Sequence, residues 1–279
     1  MLSVFFGFLS AASWGTGDFA GGLASRRASA YRATLYGEVF GLVLLLAAAP
    51  FIHETAMTWT DWGWSLAAGS IGAAGLALLY RALAEGQMSL AAPVSALMAA
   101  VLPVIAGALT EGLPGPATLT GFTLALLAVW LVSQSEGASK KAFVRLADLR
   151  LPLLSGVGFG IYFILMHQGS RQAVLWPMIA ARCAGAATLL VIAAARGEVR
   201  WPQRSLWPLV IANAAGDIGG NAFYILAGQA GRMDAAAVLG SLYPGMTVIL
   251  AWLFLREKVT RPQFAGILAA LAAIVLIAL

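Results

Sequence analysis

The sequence is poor in the residue types on which most metalloproteins and many enzymes depend. Its 279 residues include one cysteine, Cys183, and two histidines, His53 and His167. A single cysteine excludes an intrachain disulfide framework, and two isolated histidines do not form a zinc site. The sequence also lacks a phosphate-binding loop, which excludes transport driven by its own ATP hydrolysis. We therefore expect no metal and no other cofactor.

Charged residues are equally scarce. Only 10% of the residues are charged and 61% are hydrophobic, whereas a soluble domain is roughly a quarter charged. This composition indicates an all-α integral membrane protein, in which each spanning helix takes about 20 apolar residues. The basic residues are scattered through short connections and form no stripe. We therefore expect the lipid bilayer, and not nucleic acid, as a partner.

Apolar windows separated by turn and charge signals predict ten transmembrane helices. They cover approximately residues 2–24, 30–51, 62–83, 89–110, 117–134, 151–170, 174–195, 206–229, 233–255 and 262–279. The longest connection, 135–150, contains four basic residues. It is interpreted as a linker between a first unit, residues 1–134, and a second unit, residues 151–279.

The basic residues lie almost entirely on one side of the predicted bundle. Fourteen of the 17 Lys and Arg residues flank the connections that leave helices 1, 3, 5, 7 and 9. The opposite connections carry only Arg171 and Arg232. Because positively charged loops stay in the cytoplasm, the linker is predicted to be cytoplasmic and both termini non-cytoplasmic.

The two units repeat one another. Gly86 to Leu131 aligns without gaps with Gly231 to Leu276, and Glu38 aligns with Arg182 at a similar offset. Each unit holds an odd number of helices, so the second must enter the membrane from the opposite side, and the basic residues follow that inversion. We predict two inverted five-helix repeats, which is an arrangement of secondary transporters. The internal duplication removes the need for a dimer, so a monomer is sufficient.

Several short motifs occur in a fixed order along the chain. They are Trp14-Gly15 in helix 1, Tyr243-Pro244 in helix 9, and the turn from Arg256 to Thr260 followed by Gln263 and Gly266. In this order the motifs resemble the EamA-type branch of the drug/metabolite transporter (DMT) superfamily. The resemblance covers essentially the whole chain. It implies a ten-helix carrier that moves small metabolites by alternating access, often exporting amino acids or other organic solutes.

Ionisable residues inside the predicted spans are the first candidates for a binding site, because a charge in mid-span is costly unless it is paired or hydrated. Glu38 and Arg182 occupy equivalent points of helices 2 and 7 and are expected to approach where the repeats cross. Three interpretations are open: a static salt bridge, an ion pair broken and remade between states, or a proton-coupling role for Glu38.

Helix 8 carries a second group of candidates. Asn213, Asp217 and Asn221 are spaced four residues apart, which places all three on one face of the helix. This face either contacts the substrate or a coupling ion, or makes interhelical hydrogen bonds. Asp18, near the cytoplasmic end of helix 1, is expected to meet Arg26 or Arg27 at the interface.

Aromatic and small polar residues complete the candidate set. An aromatic wall suited to ring-bearing or cationic solutes is predicted from Trp14, Tyr80, Tyr162, Phe163, Tyr224 and Tyr243. Ser95 and Ser241 either line the cavity or allow close packing. His167 binds substrate, shuttles a proton, or is an interfacial polar group. Asp234, at the start of helix 9, is expected to interact favourably with the helix dipole.

These observations favour a secondary-active exporter of small organic solutes, such as amino acids and aromatic ones among them, in the inner membrane of a bacterium. The substrate cavity is expected between helices 1, 3, 4, 6, 8 and 9, with one repeat-derived bundle rocking against the other. An intramembrane enzyme is the rival interpretation, but the sequence shows no convergent nucleophile and base. A channel would require a ring of charge or a filter-like repeat, and neither is visible.

Overall fold

The computed structural model describes residues 1–25, 27–28, 30–84, 88–134, 149–199, 203–256 and 258–279. The regular structure in these ranges is helical, without β-strands. It comprises α1 (Leu2–Ser25), α2 (Ala30–Ala48), α3 (Trp59–Ala84), α4 (Met88–Thr110), α5 (Pro116–Val132), α6 (Arg150–Gly169), α7 (Leu175–Ala195), α8 (Trp207–Ala230), α9 (Met233–Gly240), α10 (Tyr243–Leu255) and α11 (Arg261–Ala278). Most of the predicted linker, 135–148, lies outside the described residues.

Seven helical stretches in the described residues are long and apolar enough to cross a membrane. They are Tyr31–Phe51, Trp59–Leu79, Arg150–Gly169, Leu175–Ala195, Arg204–Ala230, Met233–Leu255 and Arg261–Ala278. Two shorter apolar helices, Val94–Thr110 and Pro116–Val132, accompany them. An α-helix satisfies its backbone hydrogen bonds internally, which the bilayer core requires. The chain is a multi-pass membrane protein.

The ninth predicted helix is divided in the structure into α9 and α10. Pro244 has no N–H to donate, and its ring clashes with the carbonyl four residues earlier, that of Gly240, where α9 ends. The Ser241 hydroxyl donates to the Val238 carbonyl at 2.7 Å. Ser241 therefore lies at a helix junction and not, as expected, within one continuous helix.

Helices of the first unit pack mainly on helices of the second. One bundle contains α1, α8, α9 and α10, and the other contains α3, α4 and α6. Helix α7 packs more extensively on α3 than on α2, and α2 packs on both α7 and α8. Helices α5 and α11 pack on each other. The packing units therefore mix the two repeats, and they differ from the repeat-by-repeat bundles expected from the sequence.

Glycines allow the closest of these helix crossings. A Cβ atom on Gly216 of α8 would lie 2.6 Å from the Cα atom of Gly17 in α1. A Cβ atom on Gly69 of α3 would overlap the Ala181 carbonyl oxygen of α7. A larger residue at either glycine would force the two helices apart, because interhelical backbone contact of this kind depends on small residues. The two crossings hold α8 against α1 and α7 against α3.

Candidate substrate site

Arg182 of α7 lies between two carboxylates that come from other helices. Its Nη1 atom is 3.0 Å from Glu38 Oε1 of α2, and its Nη2 atom donates to Asp217 Oδ2 of α8. The side chains of Arg182 and Glu38 are 8% and 18% exposed, whereas that of Asp217 is 35% exposed. The expected approach of Glu38 and Arg182 is present in the structure. We call Glu38, Arg182 and Asp217 the triad.

Two glycines make room for the ion pair between α2 and α7. Gly41 follows Glu38 by one turn, and a Cβ atom there would lie 3.5 Å from the guanidinium carbon of Arg182. Gly185 follows Arg182 by one turn, and a Cβ atom there would lie 3.3 Å from Glu38 Oε2. The same offset that aligns Glu38 with Arg182 aligns these glycines. The acid and the base therefore meet near the axis that relates the two halves.

The triad holds one cation and two carboxylates, so its formal charge is −1 when both acids are ionised. Charges at this depth are costly unless they are paired. Among the described residues, Arg182 is the hydrogen-bonding or ion-pair partner of both carboxylates, and neither receives a backbone N–H. A shift of Arg182 towards Glu38 would thus free Asp217 for a substrate ammonium group, a cation or a proton.

Asn213 and Asn221 lie on the face of α8 that carries Asp217. The Asn221 amide donates to the Asp217 carbonyl at 2.7 Å, and its Oδ1 atom accepts a hydrogen bond from the Tyr162 hydroxyl of α6. The Asn213 amide donates to the Gly17 carbonyl of α1 at 2.9 Å. The predicted polar face is therefore directed into the bundle, and both asparagines take part in hydrogen bonds with neighbouring backbone or side-chain groups.

Three of the predicted aromatic residues, Trp14, Phe163 and Tyr224, pack on one another. Ring centroids are 4.8 Å apart for Phe163 and Tyr224 and 5.5 Å apart for Trp14 and Phe163. The Tyr224 hydroxyl donates to the Phe163 carbonyl at 2.8 Å, and all three side chains are buried. These rings stack on each other and fill the interior in this conformation. Their role as a wall for ring-bearing solutes stays a prediction. Tyr162 is only half-buried.

The remaining predicted site residues make contacts typical of helix packing. A Cβ atom on Gly156 would lie 2.6 Å from the Ser95 carbonyl oxygen, and a Cβ atom on Gly15 would lie 2.6 Å from that of Tyr243. His167 faces α8 at Gly228. The side chain of Tyr80 lies outside the described part of the structure.

Asp18 does not form the expected ion pair with Arg27. It is exposed in α1, and among the described residues its carboxylate has no ion pair or hydrogen bond, with Arg27 or any other residue. Arg26 lies outside the described residues. The predicted pair with Arg26 therefore stays a prediction.

A second arginine between two acids lies where α8 joins α9. Arg232 Nη2 is 2.6 Å from Asp234 Oδ2, and Arg232 also donates to the carbonyls of Glu111 and Gly112 beyond α4. Its hydrogen bond to Asp234 raises the pKa of Arg232 above its ordinary value. Asp234 is fully buried and accepts the Ala235 N–H at 2.7 Å. We call Glu111, Arg232 and Asp234 the loop cluster.

Glu54 is a further residue that the sequence analysis missed. Its carboxylate accepts the N–H groups of Val174 and Leu175 at 2.9 to 3.1 Å. It thereby caps the first turn of α7, where the helix dipole favours a negative charge. The only sequence signal is an acid in a short connection, because its partners lie 120 residues away.

Comparison with known proteins agrees with this architecture. A family model described as the EamA-like transporter family matches residues 1–134 and 149–279. A crystal structure of another protein superposes with a TM-score of 0.78 over 98% of this chain and 95% of that chain, at 18% sequence identity. At that identity the similarity shows the fold alone. A search of curated proteins gives no match.

Proposed function

Because the chain belongs to the EamA-like transporter family of the DMT superfamily, we propose that it is a secondary-active carrier that exports small organic solutes such as amino acids. Members of this family are transporters and not enzymes. The proposal counts α9 and α10 as one span, which gives ten spans. It places the protein in the inner membrane of a bacterium, with both termini on the non-cytoplasmic side, as the distribution of basic residues favours.

The observation that supports a carrier site is the triad. A buried arginine held by two carboxylates from different helices is expensive in a membrane, and such groups mark substrate and ion pathways. An amino acid presents an ammonium group and a carboxylate. The ammonium group is complementary to Asp217, the most exposed member of the triad, and the carboxylate competes with the two acids for Arg182.

The packing suggests how binding is linked to movement. Asp217 belongs to the bundle of α1, α8, α9 and α10, whereas Tyr162 belongs to the bundle of α3, α4 and α6. Arg182 lies on α7, which packs on α3 of the second bundle, and Glu38 lies on α2, which packs on both α7 and α8. A substrate that separates Arg182 from Asp217 weakens one link between α7 and α8, which allows one bundle to rock against the other around the site.

The test is counterflow in proteoliposomes loaded with unlabelled amino acids, organic cations or organic anions. We expect accelerated uptake of labelled solute for the amino acids, and its loss in Asp217→Asn and Glu38→Gln. Glu198→Gln is the matched control. Like each test variant it removes one negative charge, but Glu198 lies after the end of α7 and outside the membrane-spanning helices.

Each variant is first checked for monodisperse, thermally stable protein in detergent. Folded protein that exchanges no amino acid would contradict the assigned substrate class. If Asp217→Asn and Glu38→Gln exchange substrate as fast as the parent protein, the triad is a structural ion pair and not the carrier site.

A further inference from the structure

Building on the proposed function, we infer that contacts between α6 and α8 form a gate that is closed in this structure. The triad is then reached only from the opposite side, where the connections from α1 to α2 and from α7 to α8 lie. The α6–α8 gate is defined by Tyr162, Phe163 and Ser170 on one helix or its end, and by Asn221, Tyr224 and Gln229 on the other.

Three hydrogen bonds close the α6–α8 gate. The Tyr162 hydroxyl donates to Asn221 Oδ1, and the Tyr224 hydroxyl donates to the Phe163 carbonyl at 2.8 Å. Beyond them, the Gln229 amide donates to the Ser170 carbonyl. These contacts follow one another towards the ends of α6 and α8 that connect to α7 and α9. The path from the triad to that face is therefore occupied by rings and paired polar groups.

His167 adds a close contact to the gate nearer the end of α6 that connects to α7. A Cβ atom on Gly228 of α8 would lie 2.8 Å from His167 Nδ1 of α6. The imidazole therefore occupies the space that a larger residue at Gly228 would need.

The symmetry-related positions on α1 and α3 do not have the same chemistry. The repeat offsets relate Asn221 to Ala77 and His167 to Asp18. The methyl side chain of Ala77 cannot accept the hydrogen bond that Asn221 accepts from Tyr162. A closed α1–α3 contact would thus lack a bond present at the α6–α8 gate. This difference favours the conformation in which the α6–α8 gate is closed.

On the opposite side of the triad, the described residues show no contacts that correspond to those of the α6–α8 gate; residues 85–87 of the α3–α4 connection lie outside the described residues. Asp18 is exposed and unpaired among the described residues, although its counterpart His167 is half-buried against α8. A Cβ atom on Gly22, one turn further along α1, would meet no atom within 4 Å. Asp217 keeps 35% of its side chain exposed. If the basic loops mark the cytoplasm, the resting carrier is open to the cytoplasm and ready to load a solute for export.

The experiment compares two symmetry-related reporter cysteines, Asp18→Cys and His167→Cys, in a Cys183→Ser background that contains no other cysteine. A membrane-impermeant maleimide is applied to each face of oriented vesicles in the absence of substrate. We expect Asp18→Cys to react from the face that carries the α1–α2 connection, and His167→Cys to be protected from the opposite face.

Two further variants weaken the gate from different sides. Asn221→Ala copies its counterpart Ala77, and Tyr224→Phe removes only the hydroxyl that bonds to Phe163. Loss of one such hydrogen bond is expected to shift the ratio of the two states by about fivefold. Each variant should speed the labelling of His167→Cys and slow that of Asp18→Cys. Thr188→Ala, which removes a hydroxyl bonded within α7, should change neither rate.

Rapid labelling of His167→Cys in the parent background would overturn the assignment, as would reporter rates unchanged by both gate variants in folded protein. Because labelling requires no substrate, its outcome is independent of the solute class. Counterflow that fails for amino acids while the labelling pattern holds would reject the proposed substrate and leave the gate in place.

Discussion

The triad and the loop cluster each place one arginine between two acids, yet they are held in different ways. In the loop cluster, Arg232 also donates to two main-chain carbonyls, and Asp234 accepts a backbone N–H. In the triad, Arg182 is the partner of both carboxylates among the described residues, and the backbone contributes no donor to either.

The comparison separates an arginine that fixes structure from one that can change partners. Each group of the loop cluster is bonded both to a side chain and to the backbone, so moving one would leave several others unsatisfied. In the triad, transfer of Arg182 from Asp217 to Glu38 breaks side-chain contacts only. The two clusters also differ in their position, because the triad lies within the predicted spans. An acid released there must bind another cation, a proton or water.

The largest effect is expected for Arg182→Gln. It leaves Glu38 and Asp217 without their cation, and breaking a buried pair by removing one partner costs about 3–5 kcal/mol. We expect a marked fall in thermal stability in detergent and loss of counterflow. The triple variant Glu38→Gln, Arg182→Gln, Asp217→Asn should recover stability, because no charge of the triad remains buried. It should not recover transport.

A triple variant that recovers counterflow would show that the triad serves folding alone. In that outcome the difference between the two arginine clusters would concern packing, and a carrier site would have to be sought elsewhere in the bundle.

A smaller effect, on stability only, is expected for Arg232→Gln. It removes the partner of the buried Asp234 carboxylate and the bonds to the Glu111 and Gly112 carbonyls. Hydrogen bonds to charged groups contribute about 1.5–3 kcal/mol each, and the partial exposure of Arg232 reduces this. Thermal unfolding in detergent should shift downwards, whereas counterflow per folded molecule should stay within experimental error of the parent. Loss of counterflow in Arg232→Gln without loss of stability would contradict the structural role of the loop cluster.

Parts of this comparison could be predicted from the sequence. The offset of the inverted repeats predicted that Glu38 and Arg182 approach, because helices 2 and 7 occupy equivalent places around the repeat axis. The spacing of Asn213, Asp217 and Asn221 predicted their common face. The all-helical class followed from composition, and the family match agrees with the resemblance found in the motifs.

Other parts depend on geometry that a sequence does not specify. The contact of Asp217 with Arg182 requires the rotation of α8 relative to α7, which is set by the glycine crossings. The break between α9 and α10 had a visible signal in Pro244, but proline within a membrane helix can also be accommodated without a break. The partners of Glu54 and Glu111 lie more than 100 residues away along the chain, so local patterns gave no indication of them.

Glu111→Gln tests the weaker of the two carboxylate contacts in the loop cluster. The Glu111 carboxylate accepts the Met233 N–H at 3.3 Å and lies 4.0 Å from Arg232. Both contacts are long and the side chain is partly exposed, so we expect a loss of about 0.5–1 kcal/mol in stability. Differential scanning fluorimetry of Glu111→Gln and Arg232→Gln compares their losses of thermal stability. A loss as large as that of Arg232→Gln would mean that Glu111, and not Asp234, holds the arginine.

The smallest expected effects distinguish the two glycines beside the triad. A methyl group at Gly41 would contact the Arg182 guanidinium at an ordinary van der Waals distance of 3.5 Å. At Gly185 it would lie 3.3 Å from Glu38 Oε2 and 3.4 Å from the Gly69 carbonyl oxygen, where the backbone of α3 cannot yield easily. Overpacking of this mild kind costs about 1 kcal/mol, the lower end of the usual range.

We therefore expect Gly185→Ala to slow counterflow by about two- to fivefold, while Gly41→Ala leaves it unchanged. Both variants add the same methyl group at symmetry-related positions, so each is the control for the other. Equal slowing would indicate that the guanidinium must also move into the space beside Gly41 during the cycle. In that case the Arg182 guanidinium would move along α2 when it changes its partner between Glu38 and Asp217.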